Sequence, residues 1–149
     1  MERKIKFRAM IAPRKDSKYY CGEEWTYGIP LPSQLIGRGW MMNSYAISEV
    51  YYSKHASISV KDLITIDEDT IGQFTGLYDK KGVEIYEGDI VKTKFERICI
   101  IKWNSSPNHI GFDLKPIETE HPYPDEYDLY QSDNLEVIGN IYDNPELLK

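Results

Sequence analysis

Apolar and polar residues alternate along Arg3–Met10, with Ile5, Phe7 and Ala9 on one side and Lys4, Lys6 and Arg8 on the other. A period of two is that of a half-buried β-strand, here with a cationic outer face. Pro13–Lys18 then reads as a polar turn and Tyr19–Cys21 as a return strand. From Glu23 to Trp40 the period breaks, punctuated by Gly28, Pro30, Pro32, Gly37 and Gly39. This stretch is nonetheless apolar, carrying Trp25, Tyr27, Leu31, Leu35, Ile36, Trp40, Met41 and Met42. A long apolar loop either folds over the core as a lid or docks on another subunit. The docking arm is the preferred reading, with Trp25, Leu31, Leu35, Trp40 and Met41 as its contacts. Residues 23–64 are then an insertion or oligomerisation arm.

Asn43–His55 fits a short helix and a strand equally badly, whereas Ser57–Val60 and Leu63–Ile66 read as two short strands. Asp67–Thr70 marks a turn. The firmest local pattern follows, in Gln73–Lys94. Asp79-Lys80-Lys81-Gly82 is a tight turn, with Gly82 placed for a positive φ, between segments rich in β-formers, which predicts a hairpin. Glu87-Gly88-Asp89 is a second turn leading into a strand over Ile90–Lys94. Arg97–Trp103 is a nearly unbroken apolar run, the pattern of a strand buried on both faces. Asn104–Asn108 reads as a turn, Gly111–Leu114 as a strand, Glu118–Asp128 as an exposed acidic loop and Leu135–Tyr142 as the last strand. Asn144 before Pro145 predicts a capped terminal turn of helix. The expectation is one mainly β domain over 1–149, with α+β as the alternative. It has antiparallel strands, a small SH3-like barrel in the C-terminal half, a long irregular N-terminal insertion and a core over 71–149.

Composition changes this picture little. A chain of 149 residues with 41% hydrophobic and 28% charged residues is long enough and apolar enough to bury a core. Two cysteines, Cys21 and Cys99, make no disulfide framework, and the start Met1–Lys6 is not an apolar leader, so a reducing cytosol is expected. No segment approaches a membrane span. The net charge of −6 argues against generic nucleic-acid binding. It is divided unevenly: residues 1–64 carry ten Lys/Arg against six Asp/Glu, and residues 65–149 eight against eighteen. Opposite halves can attract one another within a chain or between copies.

No pattern spells out a chemistry. His55, His109 and His121 lie far apart, without metal-ligand spacing, and no phosphate-binding or nucleophile motif occurs. Asp79, Glu84, Glu87 and Asp89 crowd two turns and are candidates for an acid–base pair or for holding a divalent cation. Turns recruit Asp to bond their own backbone, which is the better explanation of Asp79 and Asp89. The acidic residues Glu118, Glu120, Asp125, Glu126 and Asp128 lack the oxygen spacing of a calcium loop. Cys99 sits in an apolar strand, where a thiolate is disfavoured. No catalytic residue, cofactor or metal is expected.

Several runs together resemble the YopX family of small proteins encoded by phages and prophages of Gram-positive bacteria. Lys4–Ala9 is similar to that family's first strand, although Met10-Ile11 stands where Trp-Asp is usual. Gln73–Leu77, Asp79–Gly82 and Tyr86–Val91 match its hallmark, and Val137–Tyr142 with Asn144–Leu148 matches its tail. The resemblance implies a phage or prophage origin, a β-rich fold and self-association, and carries over no activity. Three readings follow. The first is a non-enzymatic homo-oligomer that binds a host or phage protein. The second, not favoured, is a nucleic-acid binder using Lys4, Lys6 and Arg8 with nearby tyrosines. The last is a hydrolase or metal enzyme built on Asp79, Glu87 and Asp89.

Overall fold

Segments that alternate in the sequence are extended in the molecule, and several that do not alternate are extended too. The computed structural model describes residues 4–12, 24–31, 45–52, 58–107, 109–117 and 129–149. These form β1 (Phe7–Met10), β2 (Trp25–Leu31), β3 (Tyr45–Tyr52), β4 (Ile58–Thr65), β5 (Gly72–Tyr78), β6 (Glu84–Tyr86), β7 (Asp89–Lys92), β8 (Ile98–Ser106), β9 (His109–Pro116) and β10 (Glu136–Asn140). All their pairings are antiparallel. The fold is mainly β, as expected. The chain divides into two units, with the boundary inside β5 between Gln73 and Phe74.

In the N-terminal unit the strands lie in the order β4-β3-β2-β1, and the start of β5 pairs with the free side of β1. A bridge between Ile11 and Ile66 joins the end of β4 to the chain leaving β1. Beside it, the Ala12 N–H donates to the Thr65 carbonyl and the Asp67 N–H to that of Met10. Asp67–Thr70, expected as a turn, is a 3-10 turn capped by the Asp67 side chain. Thr70 is buried because its hydroxyl accepts from the Met10 N–H at 2.8 Å and donates to the Asp67 carbonyl at 2.7 Å. Ala9 and Ile66 form a small core with Ile71 packed on it.

Several expectations for this half are corrected. The first strand starts at Phe7, not Arg3, and Ile5 is 63% exposed rather than facing the core. Part of the supposed irregular arm, Trp25–Leu31, is strand β2, held between β1 and β3. Its glycine and proline lie on the inward face with the buried Thr26, where they help to line a shallow apolar depression with Phe7, Ala9 and Ile66. Small inward residues let neighbours pack close to the backbone, so the two residue types that normally break strands are accommodated here. The ambiguous Asn43–His55 contains a strand, and the two short strands after it are one, β4. The expected turn and strand over 13–21 lie outside the described residues, as do Leu35, Trp40, Met41 and the acidic loop 118–128.

In the C-terminal unit, β5 and β6 form the predicted hairpin. Its turn is closed by the Asp79 N–H donating to the Val83 carbonyl at 2.8 Å and the Gly82 N–H to that of Asp79 at 2.9 Å, with Gly82 at φ 79°. Thr75-Gly76 makes a bulge in β5: Gly76 has φ 90°, and the Thr75 hydroxyl donates to the Ile85 carbonyl at 2.9 Å. The remaining strands lie in the order β10-β7-β8-β9, with no closure between β10 and β9 among the described residues, so the barrel expected here is an open sheet. Ile85, Val91, Cys99, Ile101, Leu114 and Leu135 make its core, flanked by Leu77, Phe112 and Val137. Fully burying an aliphatic side chain of this size stabilises by about 1.5–3 kcal/mol.

Strand β8 is longer and less buried than expected. Cys99 and Ile101 are fully buried, but Ile98 and Ile100 on the other face are half-buried, and Trp103 is exposed. The supposed turn from Asn104 is still strand as far as Ser106. Strand β7 ends at Lys92 rather than Lys94, and β10 at Asn140 rather than Tyr142.

The tail explains its own composition. Pairing shifts between Val137 and Gly139, and the Asn144 side chain folds back over that bulge. The expected terminal turn is formed as a 3-10 turn over Pro145–Leu148 with Asn144 at its N-cap, but the Asn144 side chain does not cap it, for Oδ1 accepts instead from the Asn140 N–H at 3.3 Å. A Cβ on Gly139 would lie 2.3 Å from that same oxygen. Gly139→Ala is therefore expected to destabilise the protein by about 1–3 kcal/mol, as overpacked sites do. Urea denaturation checks this, and Asn144→Gly in the same chain is expected to recover much of the loss.

Candidate functional site

Two places concentrate charged and aromatic side chains. The first is the outer face of β1 and β2. Their register sets Arg8 opposite Tyr27 and Met10 opposite Trp25. Each cation leans diagonally onto the neighbouring strand: Lys6 Nζ lies 4.8 Å from the centroid of the Tyr27 ring, and the Arg8 guanidinium 4.7 Å from that of Trp25. Such pairs contribute about 0.5–1 kcal/mol at exposed sites. On this face Tyr27 is 46% and Ile29 43% exposed. The structure thus brings Lys6 and Arg8 together with Trp25, and Lys4 precedes them at an exposed position. Leu31 ends the same strand. Tyr27, counted in the sequence among the apolar residues of the arm but not among its contacts, belongs to the stripe, as does Ile29, which the sequence reading did not name. The signal was there, as the alternation Trp-x-Tyr-x-Ile, hidden by the glycine and proline between them.

The second is the pair of acidic turns. Asp79 Oδ1 accepts from the N–H groups of Lys81 (2.8 Å) and Val83 (2.9 Å), while Oδ2 accepts from the Val137 N–H at 3.0 Å. Burial is the largest influence on its acidity and raises the pKa, but the three backbone donors and the Lys81 charge outweigh it, leaving the group below its ordinary value. Asp89 is buried and accepts from the Tyr86 N–H at 2.7 Å. Glu84 accepts from the Tyr86 hydroxyl at 2.6 Å, and Glu87 from the Trp103 N–H at 3.4 Å. Asp79 bonds the backbone of the residues after it, as the turn reading expected, whereas Asp89 bonds backward to Tyr86. Glu136 on β10 receives both Lys80 and Lys81, whose hydrogen bonds bring its pKa down to about 2.

Among the described residues no group of three or more His, Cys, Asp or Glu is arranged to hold a metal ion. His109 Nε2 lies 2.9 Å from Asp113 Oδ1. His55 and His121 fall outside the described residues. Burial pushes the Cys99 thiol up to about 11, opposite to what a nucleophile needs. No helix among the described residues is long and apolar enough to cross a membrane.

The two-unit β fold, with its glycine–aspartate corners tied to the last strand, defines a class of mainly β proteins. The YopX protein family model matches residues 38–149, and the chain belongs to that family. The match takes in 38–64 and 104–130, where no resemblance was noticed, and leaves out Lys4–Ala9, where one was. No curated protein matches the sequence. The crystal structure of protein EF1440 from Enterococcus faecalis is similar over 99% of this chain and 100% of that one, with 26% identity and a TM-score of 0.60.

Because Glu136 and Asp79 have folded-state pKa values below their ordinary ones, the stabilisation they give is complete above those ordinary values and is lost on acidification. For Glu136 the window runs from 4.5 down to about 2. The urea midpoint is expected to fall across that window and the fall to be shallower in Glu136→Gln; identical profiles would contradict the assignment. In native protein at pH 8, Cys99 is expected to resist thiol reagents until the C-terminal unit unfolds, as mass mapping of the labelled peptide would show.

Proposed function

We propose that this is a prophage-encoded, non-enzymatic protein that self-associates through the apolar segment 23–42 and acts by binding a host or phage protein in the bacterial cytoplasm. One observation carries this reading: β2, inside that segment, turns Tyr27 and Ile29 to solvent while its small residues face inward. A strand that exposes its large apolar side chains gains by covering them against a partner. The engagement of Asp79, Glu84, Glu87 and Asp89 with backbone and neighbouring groups supports a scaffold rather than an active centre. Light scattering at micromolar concentration is expected to give a mass above the monomer, reduced in Tyr27→Glu/Ile29→Glu; a strict monomer contradicts the proposal.

A second reading is favoured by the two cation–aromatic pairs. Cations interleaved with rings on an exposed sheet face are the composition with which single-stranded nucleic acid is bound. It predicts retention of a single-stranded oligonucleotide that weakens steeply with salt and falls in Lys6→Ala/Arg8→Ala. Absence of binding at low salt would exclude it.

A further inference from the structure

The β8–β9 hairpin is amphipathic beyond the end of the core that covers it. Its register pairs Ile101 with Leu114, Trp103 with Phe112 and Ser105 with Ile110 on one face. The first pair is buried in the core of the C-terminal unit. The second is an edge-to-face aromatic pair with centroids 5.0 Å apart, in which Trp103 is 45% exposed. In the third, Ile110 is 75% exposed. The apolar face therefore continues outward to Ile110, with no described residue covering it there. The opposite face is polar: Asp113 accepts from Asn104 Nδ2 at 2.6 Å and meets His109 at 2.9 Å. Among the described strands β9 is the outermost of its sheet. An outermost strand bearing large exposed apolar side chains is the kind that pairs with another chain.

We propose that the outer end of β9 pairs antiparallel with β9 of a second copy, so that Trp103, Ile110 and Phe112 of the two copies form one continuous apolar face. The argument for a second copy is self-complementarity. A two-fold axis perpendicular to the sheet keeps both apolar faces on one side and passes through a residue position. Through Gly111, it sets His109 against Asp113 of the second copy and Ile110 against Phe112, with no side chain on the axis itself. Through Phe112, it would oppose His109 and Lys115; through Asp113, it would oppose two carboxylates. Through Ile110, it would set His109 against Gly111, so only the Gly111-centred register opposes unlike polar groups and apolar pairs together. A strand glycine also suits a close approach by another backbone.

The proposal shares with the reading above only that the protein self-associates; its surface lies in the C-terminal unit and does not involve residues 23–42. It is tested by light scattering over a dilution series of wild type, Ile110→Glu and Tyr27→Glu/Ile29→Glu, with circular dichroism confirming the fold. Ile110→Glu is expected to raise the dissociation concentration roughly tenfold or more, as loss of a central apolar anchor does. A wild-type dilution curve for Ile110→Glu, with the β2 variant dissociating, overturns this surface and leaves the arm standing. A wild type that is monomeric throughout overturns both. Register is read by mixing: His109→Asp and Asp113→Lys are each expected to associate more weakly, and a mixture of the two to recover association. Failure to recover overturns the Gly111-centred pairing.

Discussion

One carboxylate ties together parts of the C-terminal unit that lie far apart in sequence. Asp79 begins a four-residue turn, and its two oxygens receive three backbone N–H groups, two from the turn itself and one from Val137 on β10, 58 residues away. A charged acceptor saturated by backbone donors is among the stronger hydrogen-bonding arrangements available to a protein, and a buried donor left without its acceptor costs about 1–3 kcal/mol. The surrounding contacts reinforce the same junction. The Lys80 N–H donates to the Leu135 carbonyl, and Lys80 and Lys81 both reach Glu136. At the second corner the Gly88 N–H donates to Ile101 while its carbonyl accepts from the Ile141 N–H. The segments that resemble the family's hallmark and tail thus meet in space through these hydrogen bonds.

What was legible in the sequence is what is decided locally. Gly82 and Gly88 have positive φ because tight corners need it, and Asp beside such a glycine serves the turn. The partner of Asp79 was not legible, because Val137 contributes only a backbone N–H, which every non-proline residue carries. Strand β2 was missed for a different reason. Gly28 and Pro30 weaken any local case for a strand, yet pairing with β1 and β3 on both sides overrides local preference. Trp103 was misplaced because the apolar run 98–103 has no period, so its inner residues, Cys99 and Ile101, could not be told from those beyond the cover of the core.

The two exposed features share one physical origin. In β1–β2 and in β8–β9, alternation places large apolar or aromatic side chains on a face that the unit's own core does not reach. Among the described residues, cations lie against the rings of the β1–β2 face and none against the Trp103–Phe112 pair of the β8–β9 face. The acidic turns, by contrast, are directed into the backbone.

The central claim is that a single side chain joins the hairpin turn to the last strand, and native-state hydrogen exchange of three amides addresses it directly. Replacing Asp79 with Ala, which removes both acceptor oxygens, is predicted to raise the exchange of Lys81, Val83 and Val137 together, with the distant Val137 affected as much as the other two. If Val137 kept its protection while only the turn amides lost theirs, the carboxylate would be a local turn residue and the junction would rest on something else.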